Sequence, residues 1–386
     1  MAREFIAPGN IFTGAGALDM AEDKLSQLGK KAGGLARVLL IILAAFLLNA
    51  IILVATGKSV GAVYSSLWKG IFSDSYNIAR SIRWSIPLMF TALAFLVSSR
   101  AGVFNCGAEG QLLIGAFASA LVGFTFPQLP GWLLIPLCCL AAMAAGALWS
   151  LIAGLIMIRF NVNIIVVTLM LNYIASLFTE YLTRYPFNEG GSLASAGSTA
   201  YISQNAHLTR IIPNSQVTTS LIIGLVACVA IALFCRYTLK GYETRIIGMN
   251  ERFSRFSGLN VSSGKLLTFL LCGMLAGLGG AMETLGIYHR FLIGSVEGFG
   301  FDGIVISLLA NNNPLLVPFA SLFMGALNSG SITVEMFGGV PKSMTDILMG
   351  IIIMLITVKN FGIAEKVKKI WKKVTTRIKK PANDLI

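Results

Sequence analysis

The chain has 386 residues, of which 55% are hydrophobic and 12% are charged, about half the charged fraction of an ordinary soluble domain. A soluble protein of this length covers its surface with charged side chains, so the composition excludes one and indicates a protein embedded in a membrane. The net charge is +13, but the basic residues flank apolar segments, which predicts contact with membrane lipids and no contact with nucleic acid.

Residues 1–34 are rich in glycine and mixed in charge, and we predict that they form a cytoplasmic N-terminal segment. Residues 35–358 contain repeated apolar runs, and about 20 such residues are enough to cross a bilayer as a helix. The predicted spans are 35–55, 85–99, 107–124, 132–158, 164–182, 217–235, 265–286, 301–311, 314–334 and 343–358. The second and eighth are short, so we expect broken or re-entrant segments in an all-α polytopic protein with about ten transmembrane helices.

The distribution of Lys and Arg predicts the orientation of these spans. If the N-terminus is cytoplasmic, the inside segments hold 22 basic residues and the outside segments hold eight. This is the positive-inside bias of membrane proteins, and an even number of spans then places both termini in the cytoplasm. Nine basic residues lie between Lys359 and Lys380, so residues 359–386 are predicted to be a basic cytoplasmic tail that lies on acidic lipid.

A polar segment, Arg100 to Gln111, opens the third predicted span. Asn105 is placed to cap that helix, and Glu109 in its first turn meets the positive end of the helix dipole. An ionisable group at membrane depth is costly unless it faces a partner or a water-filled route. These groups therefore either end a helix or line a pathway, and the sequence leaves both interpretations open.

Further polar residues interrupt later apolar runs. Asn172 in the fifth span either bonds a neighbouring helix or faces the same route. Glu283 lies near the predicted outer end of the seventh span, so it either faces the route or reaches interfacial water. Glycines between Gly294 and Gly303 break the chain before the eighth span, as in transporters near their pathway. The predicted pathway residues are Asn105, Glu109, Gln111, Asn172 and Glu283.

The longest inside connection, residues 236–264, carries an amphipathic pattern. Its apolar residues recur at steps of three, four and three, which gives one apolar face to a short helix, and Gly258 follows as a C-cap. These apolar residues are Ile246, Met249, Phe253 and Phe256. Such a helix lies on the membrane surface or in a groove of a partner protein.

The sequence motifs that would indicate nucleotide binding or metal binding do not hold. Residues 298–303 match GxGxxG without the surrounding βαβ unit, and residues 258–265 have the wrong spacing for a phosphate loop. The chain has two histidines and six cysteines, and the cysteines lie in or beside apolar runs without metal-ligand spacing. The sequence therefore predicts no catalytic residues, no metal site and no cofactor, which disfavours an intramembrane enzyme.

Four ordered motifs resemble one family. They are Phe104–Gln111, Thr168–Ala175, Gly248–Asn250 with Gly258–Val261, and Phe301–Ile304 with Asn313–Pro314. These segments resemble the ABC-importer permeases for nucleosides and simple sugars, relatives of the ribose and branched-chain amino acid permeases, over about 60–358.

The resemblance implies a plasma-membrane permease, not itself an enzyme, that moves nucleosides by alternating access. It implies three partners: a second related permease, a cytoplasmic ABC ATPase with two nucleotide-binding modules and an extracytoplasmic substrate-binding lipoprotein. The loop 236–264 would be the coupling element seated in the ATPase, and the residues assigned to it are Arg245, Gly248, Met249, Asn250, Glu251, Phe253, Phe256 and Gly258. The alternatives are a simple-sugar or branched-chain amino acid ABC permease, or an ion-coupled secondary transporter with Glu109 as its ionisable group.

Three positions depart from the family pattern. Cys106 replaces an aliphatic residue, and Ile164 stands where the family often has Glu. Phe253 and Ser254 stand where the coupling loop commonly has two alanines, so we expect docking to need a matching pocket in the ATPase.

Overall fold

The computed structural model describes residues 43–189, 197–212, 215–338, 340, 346–347 and 350–351. Its helices are α1 (Leu43–Ala55), α2 (Val60–Phe72), α3 (Ser75–Arg100), α4 (Ala108–Thr125), α5 (Gly131–Phe160), α6 (Ile164–Arg184), α7 (Ser220–Tyr237), α8 (Leu239–Met249), α9 (Glu251–Phe256), α10 (Val261–Glu283), α11 (Phe299–Leu309) and α12 (Val317–Gly338). Three isolated β-bridges are the strand-like pairings seen within these ranges. The predictions for 1–34 and 359–386, and most of the predicted span 343–358, fall outside the described residues.

In the described part of the chain, 7 helices are long and apolar enough to cross a membrane. They are α3, α4, α5, α6, α7, α10 with its continuation to Tyr288, and α12, and they coincide with predicted spans two to seven and nine. The all-α class and repeated membrane crossing are thus confirmed, whereas the total of about ten stays a prediction. Helix α1 belongs to a different compact unit from Lys58–Thr345.

The prediction of a short second span was wrong. Helix α3 has 26 residues, and 89% of an apolar 18-residue stretch within it is buried, so it is a full-length helix in the interior of the bundle. The basic residues before residue 85 had lowered its apparent hydropathy. Arg80 donates to the Ser329 hydroxyl at 2.8 Å, and Arg83 is paired as described below, so both charges are satisfied within the protein. The short eighth span is confirmed, because α11 has 11 residues.

Helix α2, between the first and second predicted spans, was not predicted. The hydroxyl of Ser59 caps its start by accepting from the Ala62 N–H at 3.4 Å. The helix packs against α3 and α12, and its residue Gly70 lies against the side chain of Thr333 at a distance that leaves no room for a Cβ. It adds a short helix to the bundle beside two long ones.

Helix α10 packs against α3, α4 and α5 through glycines. A Cβ on Gly273 would collide with the carbonyl of Gly146, and one on Gly277 would collide with the carbonyl of Ala142. Small residues four positions apart let transmembrane helices approach backbone to backbone, where van der Waals contact stabilises them. The contact between α5 and α10 therefore depends on the absence of side chains at these positions.

Replacing Gly277 with leucine is therefore expected to push α5 and α10 apart. Overpacking of a filled core costs typically about 1–3 kcal/mol and occasionally more, and here the obstacle is backbone. Thermal unfolding of the purified protein in detergent measures the effect. Gly61 on α2 is the matched control, because a Cβ there meets nothing within 4 Å. Equal melting temperatures for Gly277→Leu and Gly61→Leu would contradict the packing argument.

An irregular segment, residues 197–212, contains one short 3₁₀ helix, Gln204–Ala206, and contacts the end of α10. Its Leu208 N–H donates to the carbonyl of Leu285 at 3.1 Å. Residue His289 ends the π-helical continuation of α10 with a φ of 53°, and its ring stacks on that of His207 with centroids 3.7 Å apart and planes 14° apart. The histidine stack joins this segment to the end of α10.

The stack makes stability depend on pH. Burial lowers the pKa of His207 and His289, and for His289 the neighbouring His207 and Arg210 lower it further. The unfolded chain therefore takes up protons first, so stability is full above the ordinary histidine pKa of about 6.5 and falls as the pH drops below it. We expect a lower melting temperature at pH 5.5 than at pH 7.5. In the double variant His207→Phe with His289→Phe this difference should shrink, and an unchanged difference would assign it to other groups.

Candidate transport site and coupling surface

Glu109 joins the start of α4 to the start of α11. Its side chain is buried, and its two carboxylate oxygens accept hydrogen bonds from the N–H groups of Gly298 at 2.5 Å and of Gly300 at 2.6 Å. These N–H groups belong to the N-terminus of α11, where a carboxylate is favoured by the helix dipole. The expectation that Glu109 serves the dipole of its own helix was incomplete, because its hydrogen bonds go to α11.

Asn105 does not cap the first turn of α4. Its Oδ1 accepts a hydrogen bond from the Gly107 N–H at 2.8 Å, and Gly107 is the residue that precedes the helix. An asparagine that bonds the backbone two residues ahead forms an Asx turn. Asn105 is buried, with 1% of its surface exposed, and it shapes the entry into α4.

Asn172 ties α6 to the same place. Its Oδ1 accepts from the Gly110 N–H at 2.9 Å, and its Nδ2 donates to the Cys106 carbonyl at 2.8 Å. Both ends of this amide therefore bond the backbone at the start of α4. The interpretation that Asn172 bonds a neighbouring helix matches these contacts, and its role in a pathway stays a prediction. Asn105, Glu109, Gln111 and Asn172 together form what we call the α4-start cluster.

Glu283 belongs to a second polar group, formed by α3 and α10. It lies at the end of α10 with 2% of its surface exposed, and its carboxylate accepts from Arg83 at 2.7 Å. The suggestion that it reaches interfacial water was wrong, because the carboxylate is buried in an ion pair. The Arg83 guanidinium also lies 4.4 Å from the centre of the Trp84 ring and bonds the Tyr288 hydroxyl at 3.4 Å.

Arg83 was missed as a site residue. It precedes the predicted span 85–99, and so falls in a predicted outside segment, whereas in the structure it lies on α3 and 3% of its surface is exposed. A basic residue immediately before a predicted span is normally read as a topology signal. The available hint was Glu283, since a buried carboxylate needs a cationic partner.

The predicted coupling helix is two helices. Asn250, with φ −156° and ψ 101°, ends α8, and its Oδ1 accepts from the Phe253 N–H at 3.0 Å to cap α9. The prediction that one helix carries the apolar residues from Ile246 to Phe256 was therefore wrong. The physical reason is that asparagine competes for backbone N–H groups and favours helix caps over helix interiors.

The apolar side chains of this region still point outward. Met249, Phe253 and Phe256 are 77%, 59% and 92% exposed, and we call these three the apolar coupling patch. Gly258 has a φ of 79°, its N–H donates to the Arg255 carbonyl, and the next N–H donates to the Ser254 carbonyl. This pair of bonds is the Schellman C-cap, so the expected cap at Gly258 is confirmed.

Backbone and ionic contacts anchor the patch to the spans. A Cβ on Gly248 would collide with the carbonyl of Arg100 at the end of α3, so α8 lies directly against that helix end. Glu251 accepts from Lys265 on α10 at 2.8 Å and from Arg255 at 2.7 Å. The bond from Lys265, and that from Arg255, lower the pKa of Glu251. Helices α8 and α9 are thus in direct contact with α3 and α10. Arg245, which is also assigned to the coupling element, is exposed.

The described residues contain no group of three His, Cys, Asp or Glu side chains that could hold a metal ion. What they contain is a set of polar groups that join membrane-spanning helices, and an exposed apolar patch fixed to the ends of two of them. That combination is expected of a membrane protein whose helices move relative to one another.

Comparison with known proteins points the same way. The family described as branched-chain amino acid transport system / permease component matches residues 77–357. The guanosine ABC transporter permease protein NupP of Bacillus subtilis is 34% identical over 84% of this chain and 93% of its own. The nucleoside ABC transporter permease protein NupB of Lactococcus lactis is 30% identical over 83% and 90%. The glucose ABC transporter permease protein TsgB13 of Haloferax volcanii is 31% identical over 83% and 87%.

Proposed function

The chain belongs to the branched-chain amino acid transport system permease family, and from this premise we propose that it forms the translocation pathway for nucleosides in an ATP-driven importer. It is a multi-pass permease of the cell membrane. The observation that carries the nucleoside assignment is the identity of 34% to a guanosine permease over 93% of that relative's length. The second nucleoside relative, at 30% identity, supports the same class.

We propose that the α4-start cluster and Glu283 lie along the pathway. The support is that buried amides and carboxylates join α4 to α6 and α11, and α10 to α3, so relative movement of these helices must break or remake their hydrogen bonds. Polar groups inside a membrane are costly and mark substrate routes. The half-buried N-terminus of α11, held by Glu109, resembles the broken helices found at transporter midplanes.

The remaining assignments follow from the family. The proposed partners are a cytoplasmic ABC ATPase that hydrolyses ATP, a second related permease and an extracytoplasmic binding lipoprotein. The apolar coupling patch would seat in the ATPase. About ten spans with both termini in the cytoplasm remain the proposed topology, supported by 22 basic residues in the inside segments against eight outside.

Simple sugar is the second candidate substrate, because the glucose relative is 31% identical over 83% of this chain. An ion-coupled mechanism is less well supported. Its one candidate group, Glu109, accepts two backbone hydrogen bonds, so its side chain already serves to hold the start of α11.

Uptake into proteoliposomes tests the proposal. The permease is reconstituted with the proposed ATPase, second permease and binding protein, and accumulation of labelled adenosine, glucose and leucine is followed. We expect accumulation of adenosine that requires ATP on the ATPase side. Accumulation of glucose or leucine instead would change the substrate class, and accumulation driven by a proton or sodium gradient without ATP would reject the mechanism.

A further inference from the structure

Helix α11 is held at both ends by residues of the connection between α3 and α4. At its start, the N–H groups of Gly298 and Gly300 donate to the Glu109 carboxylate. At its end, the Arg100 guanidinium donates to the Asn312 carbonyl at 3.0 Å. Helix α11 has 11 residues, which corresponds to a length of about 16 Å. Glu109 and Arg100 therefore bind opposite ends of one short helix.

The two charges suit the helix ends at which they act. A helix carries a partial positive charge at its N-terminus and a partial negative charge at its C-terminus. A carboxylate is therefore stabilising at the first end and a guanidinium at the second, as Glu109 and Arg100 are placed around α11. Because both charges belong to one short segment, displacement of that segment acts on both ends of α11.

Side-chain bonds also join the end of α11 to the end of α3. The Asn312 Nδ2 donates to the Ser99 hydroxyl at 3.1 Å, and its Oδ1 accepts from the Ser307 hydroxyl at 2.9 Å. Asn312 has a φ of 53°, in the left-handed region that asparagine tolerates better than most residues. Its side chain therefore links the last turn of α11 to the last turn of α3.

The same connection touches the proposed coupling element. A Cβ on Gly248 of α8 would collide with the Arg100 carbonyl and would lie 2.8 Å from the Gly102 nitrogen. Gly102 has a φ of 73°, and the Val103 N–H donates to the Ser98 carbonyl at 3.0 Å, which is the Schellman cap that ends α3. Backbone thus meets backbone where α8 contacts the end of α3, without a flexible side chain between them.

We propose that residues 99–109, which we call the α11 clamp, make α11 move together with α8. This inference rests on the proposed function, in which α8 and α9 seat in the ATPase. Movement of α8 displaces the end of α3, and the bonds of Arg100 and Ser99 to Asn312 carry α11 with it. These three are then positioning residues that couple ATP hydrolysis to the proposed pathway, at whose α4-start cluster Glu109 holds the other end of α11.

The ratio of nucleoside accumulated to ATP hydrolysed in the reconstituted importer tests the clamp. Arg100→Met is expected to lower this ratio about tenfold, the effect of one hydrogen bond to a charged group, while copurification with the ATPase and ATP hydrolysis continue. Arg100→Lys keeps a cationic donor and should restore most of the ratio. The matched control is Arg159→Met, because Arg159 is an exposed residue in the last turn of α5, and it should keep the wild-type ratio.

A cross-link decides the case in which Arg100→Met fails to insert. The double variant Ser99→Cys with Asn312→Cys, in a background without native cysteines, is joined by a short bifunctional thiol reagent. A clamp that stays closed while α8 and α11 move together is not hindered by this link. We therefore expect the cross-linked importer to have at least the ratio of the same variant before cross-linking.

Two results would overturn the inference alone. A wild-type ratio in Arg100→Met, even with both rates reduced, would assign Arg100 a purely structural role. Loss of transport on cross-linking would show that the ends of α3 and α11 separate during the cycle. A wild-type importer that accumulates no nucleoside with ATP would instead overturn the proposed function.

Discussion

The variant Phe253→Asp is expected to insert normally, to lose copurification with the ATPase and to support no ATP-driven uptake. Phe253 is 59% exposed and stands between Met249 and Phe256 in the apolar coupling patch. Complete burial of one such side chain contributes about 1.5–3 kcal/mol. A carboxylate in the same apolar pocket would instead weaken docking, because it would be buried without a partner.

The fold of the permease should tolerate this change. The Phe253 side chain is largely in solvent. The backbone N–H of residue 253, which the substitution does not alter, still donates to the Asn250 side chain. The matched control is Phe126→Asp, because Phe126 is 46% exposed at the opposite end of α4 from the α4-start cluster. We expect this control to retain both the ATPase and uptake.

Two measurements decide the outcome. Copurification from detergent reports docking, and ATP-driven nucleoside accumulation reports coupling, with the amount of inserted permease as the reference. Normal copurification and normal uptake by Phe253→Asp would show that α8 and α9 are not the coupling element. Loss of the inserted permease itself would show that the patch contacts this chain, contrary to its exposure.

Hydrophobic runs allowed the long spans to be predicted from the sequence. Helices α4 to α7 lie within a few residues of their predicted bounds, because each consists of apolar residues between polar ends. The start of α3 was misplaced by ten residues, because the predicted span begins at residue 85 and the helix begins at Ser75, so that Arg80 and Arg83 lie within it. A hydropathy scale assigns a cost to each arginine without knowing whether a distant Glu283 or Ser329 will satisfy it. That information exists only in the packed structure.

The candidate site shows the same limit. The polar residue types that interrupt the spans were predicted, and Asn105, Glu109 and Asn172 do converge at the start of α4. Their partners were not predictable, because they are backbone groups of α4 and of the sequence-distant α11.

The variant Glu283→Gln is expected to destabilise the protein strongly. It leaves the Arg83 guanidinium buried, with 4% of its side chain exposed, and without the charge that compensates it. Removing one partner of a buried ion pair costs about 3–5 kcal/mol, whereas replacing both partners with apolar residues is often neutral. The double variant Arg83→Met with Glu283→Leu should therefore recover most of the stability lost in either single variant.

An exposed pair of the same residue types distinguishes the effect of burial on stability from the effect of losing the charge. Arg184 and Glu180 are joined at 2.7 Å on α6 with 44% and 35% of their side chains exposed, and pairs of this kind contribute about 0.3–0.5 kcal/mol. Glu180→Gln should leave the melting temperature nearly unchanged, while Glu283→Gln lowers it. If the double variant is no more stable than Glu283→Gln, the loss arises from packing at Trp84 and Tyr288 and not from the unpaired charge. If it is more stable and also transports, the ion pair serves the fold and not the pathway, and Glu283 leaves the set of pathway residues.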